Sequence, residues 1–181
     1  ILALPLAAVA VTALAEHPRV VHARRWALGL FVLALCSSVF HYQTGWKAVR
    51  AHTRMLHSRT NARLEVAAFL QREAAPDDRI ALGDVGLIGY ELDHVIDDTF
   101  GLNSSDFVHR FDHDKEPYLL ELFERKPKWV VLVSKRERRF SGQYKTGRII
   151  YKLPSFEANY ELVNEIPADN DRYFHFIFRR K

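Results

Sequence analysis

Three aspartates offer the side chains best suited to chemistry in this sequence. Asp84 follows the short apolar run at residues 80–82. Asp97 and Asp98 end a second apolar run that begins at Val95. Short aliphatic runs that stop at Gly or Asp are typical of buried strands, whose polar ends meet at one edge of an α/β sheet. We therefore expect the three carboxylates to lie near one another, where they could transfer protons or hold a cation.

Other polar residues give weaker signals, and the aspartates also allow a structural interpretation in which they cap helices and turns. His109 and His113 have the i, i+4 spacing that places two imidazoles on one helix face, with Asp112 and Asp114 nearby. The sequence indicates no third metal ligand beside this pair, and the segment is also typical of a loop. We therefore predict no metal site. The sequence contains no Gly-x-Ser-x-Gly elbow and no phosphate-binding glycine loop, and its single cysteine, Cys36, lies in an apolar run.

The apolar residues concentrate at the beginning of the 181-residue chain. The net charge of +4 comes from nearly equal numbers of bases and acids, so no strong field indicates nucleic-acid binding. Residues 26–42 contain no charged side chain apart from His41, and Arg24 and Arg25 precede them directly. This pattern predicts a transmembrane helix with its N-terminal flank in the cytoplasm. The alternative is a buried helix of a soluble core.

Residues 1–15 are almost entirely aliphatic and allow two interpretations. They could end a preceding transmembrane helix, forming a hairpin with residues 26–42. They could also be the apolar region of a signal peptide, with residues 13–15 as a small-residue cleavage site. We favour the hairpin, because no basic region precedes the apolar residues. Since the chain begins at Ile1 inside an apolar segment, we expect it to be a piece of a longer protein.

Residues 43–59 predict a basic amphipathic stalk helix. Its cations Lys47, Arg50 and Arg54 could attract anionic head groups or a lipid phosphate. The alternative is the solvated face of an ordinary linker helix. A polar pair at residues 60–61 predicts the N-cap of a separate helix that starts the next domain.

The remainder of the chain predicts a small α/β domain with a mixed sheet. A helix at residues 117–125 leads to the continuous apolar run 128–134, which suits a strand covered on both faces. Two segments that alternate with period two, residues 160–166 and 172–178, predict a closing antiparallel hairpin. The fold class is therefore α/β, with an N-terminal transmembrane helix or hairpin before an extracytoplasmic domain. The predicted boundaries are residues 1–42 for the membrane segment, 43–59 for the stalk and 60–181 for the domain.

One longer pattern extends through the middle third of the chain. It consists of Gly83, Asp84, Gly86, Ile88 and Tyr90, then Val95, Ile96, Asp97, Gly101 and Leu102, then Pro127 to Val133 with Trp129. Following an apolar span and a basic stalk, this pattern resembles the C-terminal part of bacterial GT-C-type membrane glycosyltransferases. Within that group it is most similar to the mannosyltransferase- and arabinofuranosyltransferase-like enzymes that use polyprenyl-phosphate sugars. Asp84, Tyr90 and Asp97 match positions of the family pattern, and the resemblance does not make them catalytic residues.

The resemblance implies a multi-spanning enzyme of the inner (plasma) membrane, with the residues after about 43 on the extracytoplasmic side. Such an enzyme transfers a sugar from a polyprenyl-phosphate donor to a glycan or lipid acceptor. Its catalytic acid lies in an early extracytoplasmic loop that this chain lacks, so we expect this chain alone to be inactive. The sequence identifies no cofactor, and we expect a divalent cation, if one is used, only in the part that this chain lacks.

In that setting the α/β domain caps the membrane active site and helps to hold the acceptor, with Asp84, Tyr90, Asp97 and Asp98 as binding candidates. The expected partners are the membrane, the lipid-linked donor and the acceptor, and not nucleic acid. One rival hypothesis is a membrane-anchored binding or scaffold domain without an enzyme. A second is a self-contained extracytoplasmic hydrolase that uses Asp84 with Asp97 or Asp98.

Overall fold

The computed structural model describes residues 23–111, 113–168 and 172–181. The chain divides into two compact units between Thr53 and Arg54. Both interpretations of residues 1–15, the hairpin and the signal peptide, lie outside the described residues.

A long helix, α1, runs from Ala23 to Glu73 and contributes to both units. The separate helix predicted to start at residues 60–61 is wrong, because α1 continues through them without a break. Threonine is tolerated inside a helix. Ala62 and Val66, which follow Thr60 on α1, are buried in the core, so packing stabilises the helix through this segment. The predicted boundaries at residues 42 and 59 therefore fall inside one helix.

The part of α1 that begins at Leu28 is long and apolar enough to cross a membrane. Large apolar side chains such as Leu33 and Phe40 are exposed on this part of the helix. None of the apolar window is buried, which does not fit the alternative of a core helix of a soluble domain. By length and composition this segment has the properties of a membrane anchor or a signal sequence.

The second unit contains a five-stranded mixed sheet with the order β2-β1-β3-β5-β4. Its strands are β1 (Arg79–Leu82), β2 (Val95–Asp98), β3 (Trp129–Ser134), β4 (Tyr160–Pro167) and β5 (Phe174–Arg180). Strand β1 pairs in parallel with β2 and β3, whereas β5 is antiparallel to both β3 and β4. The predicted mixed α/β fold and the C-terminal antiparallel hairpin are confirmed.

Helices cover both faces of the sheet. The shorter helices are α2 (Val85–Tyr90), α3 (Ser105–His109), α4 (Lys115–Glu124), α5 (Lys145–Lys152) and α6 (Pro154–Asn159). One core cluster joins α1 and α2 to alternate strand residues such as Val131. The other joins α3 to α6 to the opposite strand residues, such as Val130. Strand β3 is buried at every position, as its continuous apolar run predicts.

The order of the strands reverses at the carboxyl ends of β1 and β3. The chain leaves β1 toward β2 on one side, and then returns past β1 to form β3 on the other. Because β5 is antiparallel to β3, the first residues of β5 lie beside the carboxyl end of β3. In open α/β sheets, ligands bind in the crevice outside such a reversal.

The turn after β2 depends on Gly101, which has φ +74°, a conformation in which an added Cβ would lie 2.5 Å from the Phe107 ring. We expect Gly101→Ala to lower the free energy of unfolding by about 2 kcal/mol, through backbone strain and overpacking of a buried ring. Gly86→Ala is the matched control, because nothing lies within 4 Å of its added Cβ and it should change stability by less than about 1 kcal/mol. Urea unfolding of the chain in detergent measures the free energy of unfolding of both variants. Equal values for the two would contradict the role given to Gly101 in this turn.

Candidate functional site

Asp84 lies at the reversal of the strand order, directly after β1 and Gly83. It occupies the N-cap position of α2, but its side chain does not cap that helix. Instead, its Oδ2 accepts hydrogen bonds from Arg63 Nε of α1 and from the Tyr173 hydroxyl at 3.0 Å, just before β5. The carboxylate therefore links three separate parts of the domain, and its side chain is still 23% exposed.

Asp97 and Asp98 do not share these partners. The Asp97 side chain is 2% exposed and pairs with Arg79 at 2.6 Å and with Arg125 at 3.5 Å. Asp98 accepts hydrogen bonds from the backbone N–H groups of two residues in the turn that follows it. Among the described residues the three carboxylates share no hydrogen-bond or ion-pair partner, because the aspartates of β2 are engaged in a buried ion pair and a turn. The turn-capping interpretation is confirmed for Asp98.

The remaining sequence candidates are on the surface. Tyr90 ends α2 and is 85% exposed. Lys47, Arg50 and Arg54 are exposed on α1, where the Arg50 guanidinium lies 5.1 Å from the centre of the Trp46 ring. Their proposed roles in binding an acceptor or lipid head groups stay predictions.

The histidine pair does not share a helix face. His109 is the last residue of α3, and His113 adopts φ 62° in the turn beyond it. The chain turns there because Asp114 caps the next helix, with its side chain accepting from the backbone N–H of Glu116. Among the described residues, no group of three or more His, Cys, Asp or Glu side chains is placed to hold a metal ion. Asp112 lies outside the described residues.

Two buried aromatic residues of the hairpin complete the surroundings of Asp84. Burial, followed by the charge of Asp84, raises the pKa of Tyr173 well above its usual range, so its hydroxyl keeps the proton that it donates to Asp84. His175 packs edge-on against Tyr173 with ring centres 5.1 Å apart. Burial lowers the pKa of His175 to about 4. Neither of its ring nitrogens has a hydrogen-bond partner within the described part of the chain.

A pocket of about 640 Å³, here called the basic pocket, opens beside this network. It is lined by Arg59, Lys135, Arg136, Ser141, Gln143 and Arg172. The guanidinium of Arg59 lies 4.6 Å from the centre of the Tyr173 ring, whose hydroxyl contacts Asp84. Tyr173 therefore connects the basic pocket to the carboxylate.

The loop that brings Lys135 and Arg136 to the basic pocket is held by Ser134, the buried last residue of β3. Its hydroxyl donates to the Arg136 carbonyl at 2.8 Å and accepts from the N–H groups of Arg136 and Ser141 at 3.1 and 2.9 Å. The Lys135 N–H donates to the Ser141 carbonyl at 2.8 Å. Because one hydroxyl satisfies both arms of the loop, the cations that follow β3 have a fixed backbone.

Sequence reasoning did not single out the charge run at residues 135–139, whose side chains are exposed, as part of a site. It did not find the basic pocket, because Arg59, Arg136 and Arg172 are far apart in sequence and meet only through the sheet order. Tyr173 likewise carried no sequence signal of a site residue. Its ring is buried in the core, but its hydroxyl also contacts Asp84.

Comparison with known proteins gives one match. A family model described as "Domain of unknown function (DUF8728)" matches residues 48–177. No curated protein and no solved structure matches the chain.

Proposed function

Because this chain belongs to the DUF8728 family, a domain of unknown function, we propose its function from the geometry of its own site. It is the C-terminal part of a GT-C-type glycosyltransferase of the inner (plasma) membrane, with an extracytoplasmic α/β domain that holds the acceptor. The enzyme transfers a sugar from a polyprenyl-phosphate donor to a glycan or lipid acceptor, and the chemical step belongs to residues outside this chain.

The observation that supports the proposal most is that one oxygen of the Asp84 carboxylate accepts no hydrogen bond from the described residues. Both described donors, Arg63 and Tyr173, use Oδ2, so Oδ1 accepts no hydrogen bond from the described residues. The side chain is 23% exposed and lies where open α/β sheets bind their ligands. A carboxylate oxygen with this freedom is a strong acceptor for a sugar hydroxyl. The bonds at Oδ2 hold the group in place before the acceptor binds, which lowers the entropic cost of binding.

Helix α1 supports the location at a membrane. Its apolar, exposed beginning has the length of a span, and Lys47, Arg50 and Arg54 follow that segment in sequence. Cations beside a span attract anionic head groups. A binding domain carried on such a helix would orient an acceptor whose reacting hydroxyl is at the membrane. Binding energy from such a remote site contributes to the rate of transfer.

The hydrolase hypothesis is not favoured, because it needs Asp97 or Asp98 to act with Asp84. Asp97 is buried in its ion pair with Arg79, and Asp98 holds a turn. A membrane-anchored binding domain without an enzyme remains the rival, and a transfer assay separates the two.

The test measures sugar transfer from a polyprenyl-phosphate-sugar donor in membranes from cells that lack the protein and from cells that produce it. We expect transfer only with the protein, and an acceptor KM raised about tenfold by Asp84→Asn with an unchanged donor KM. Asp93→Asn, at an exposed position, is the control and should leave both values unchanged. Equal transfer with and without the protein would favour the binding domain without an enzyme.

A further inference from the structure

We propose that the basic pocket binds a phosphate-bearing anion, namely a phosphomonoester or diphosphate group. This inference goes beyond acceptor binding at Asp84, and it rests on the charges, donors and loop geometry of the pocket itself. Only the source of the phosphate depends on the proposed function.

The first argument is the charge inside the basic pocket. It contains four cationic side chains, which come from α1, from the loop after β3 and from the segment before β5. Lys135, Arg136 and Arg172 form no ion pair with a carboxylate of the described residues. By contrast, Arg63 and Arg79 elsewhere in the domain each pair with an aspartate. Lys135, Arg136 and Arg172 lie together without a described carboxylate partner and repel one another, and a bound anion with two or more charges would offset that repulsion.

The second argument is the set of hydrogen-bond donors. A guanidinium presents a planar fork that matches two oxygens of a phosphate, and the Lys135 ammonium adds a compact charge. Ser141 and Gln143 also line the pocket and supply neutral donors. A volume of about 640 Å³ lies within the range of small-molecule sites and accommodates a diphosphate together with an attached group.

The third argument is preorganisation. The Ser134 hydroxyl fixes the backbone of Arg136 and Ser141 at 2.8 to 3.1 Å, so the loop does not have to order itself around a ligand. The N–H of Arg138 donates to both carboxylate oxygens of Glu165 on β4 at 3.1 Å, which ties the far side of the loop to the sheet. Arg59 is stacked on the buried ring of Tyr173. A loop whose backbone is already ordered loses little backbone freedom when its side chains bind a ligand.

The phosphate group that binds in the basic pocket could belong to either of two kinds of molecule. A lipid-linked phosphate would fit the proposed glycosyltransferase, whereas a soluble sugar phosphate would make the pocket a site for a small metabolite. Both present a phosphomonoester or diphosphate to the same cations, so the experiment first tests the phosphate and then its source.

The experiment titrates the full chain, in nanodiscs of zwitterionic phosphatidylcholine with no net charge, with inorganic pyrophosphate by calorimetry. We expect saturable binding, with a Kd raised at least tenfold by the double variant Lys135→Ala/Arg136→Ala. The control Lys126→Ala/Lys152→Ala removes the same charge from exposed positions outside the pocket and should change the Kd less than twofold. A polyprenyl phosphate in the nanodisc that competes with pyrophosphate supports the lipid source, and competition by a soluble sugar phosphate alone supports the soluble one.

Absence of saturable pyrophosphate binding would overturn the inference, as would equal weakening by the two double variants. This outcome is independent of the transfer assay. If transfer still depended on Asp84, acceptor binding would stand and only the phosphate site would be lost.

Discussion

Replacing Asp84 with alanine is expected to lower the free energy of unfolding of the α/β domain by about 3 kcal/mol. The reason is that one oxygen serves two donors, Arg63 Nε and the Tyr173 hydroxyl. Removing it leaves a largely buried guanidinium without its carboxylate and a buried hydroxyl without an acceptor. Urea unfolding of the chain in detergent, followed by the fluorescence of the buried Trp129, measures the loss.

The control for this variant is Asp93→Ala, which removes an exposed carboxylate from the segment between α2 and β2. It should change the free energy of unfolding by less than about 0.5 kcal/mol. If the two alanine variants were equally stable, Asp84 would not hold α1, β1 and β5 together, and the description of the site would be wrong.

The second large effect is a loss of stability in mild acid that depends on His175. Burial lowers the pKa of His175 to about 4 from an ordinary value of 6.5. Between these values the unfolded chain binds a proton that the folded domain excludes. Stability therefore falls as the pH falls from about 6.5 to about 4, by about 3 kcal/mol in total. The charges that act on the ring oppose one another, because Asp84 favours the protonated ring and Arg63 disfavours it.

The matched variant is His175→Leu, which removes the ionisable ring and keeps an apolar side chain in the core. Unfolding free energies at pH 7 and at pH 4.5 should differ by about 2 kcal/mol less in this variant than in the parent chain. Carboxylates that titrate in the same range contribute equally to both proteins, so the difference isolates the histidine. An unchanged dependence on pH would show that His175 is not the group responsible.

The parts of the fold that follow from local pattern could be predicted from the sequence. The apolar run of β3 and the alternation of β4 and β5 gave the correct strands, because burial on two faces or on one face leaves a distinct periodicity. The break predicted at residues 60–61 failed because a good N-cap residue type does not end a helix whose next turns are buried. Packing of Val66 and Leu70 against the sheet overrides the local signal.

The candidate site depends on tertiary structure and could be predicted only in part. Asp84 was singled out because it ends a strand, and the structure places it at the reversal of the strand order. Its partners Arg63 and Tyr173 carry no local signal, since an arginine on a helix and a tyrosine near a strand are ordinary residues. The basic pocket is likewise formed by segments that meet only when β5 pairs with β3.

The most direct test of the central claim, an extracytoplasmic α/β domain carried on a membrane helix, is cysteine labelling. In a Cys36→Ala background, which removes the chain's single cysteine, new cysteines are placed at Ala23 and at the exposed Leu102. A membrane-impermeant maleimide is then added to sealed right-side-out vesicles. We predict that Leu102→Cys reacts at once and that Ala23→Cys reacts only after detergent opens the vesicles. Reaction of both cysteines only after opening would contradict the claim and would place the Asp84 site and the basic pocket in the cytoplasm.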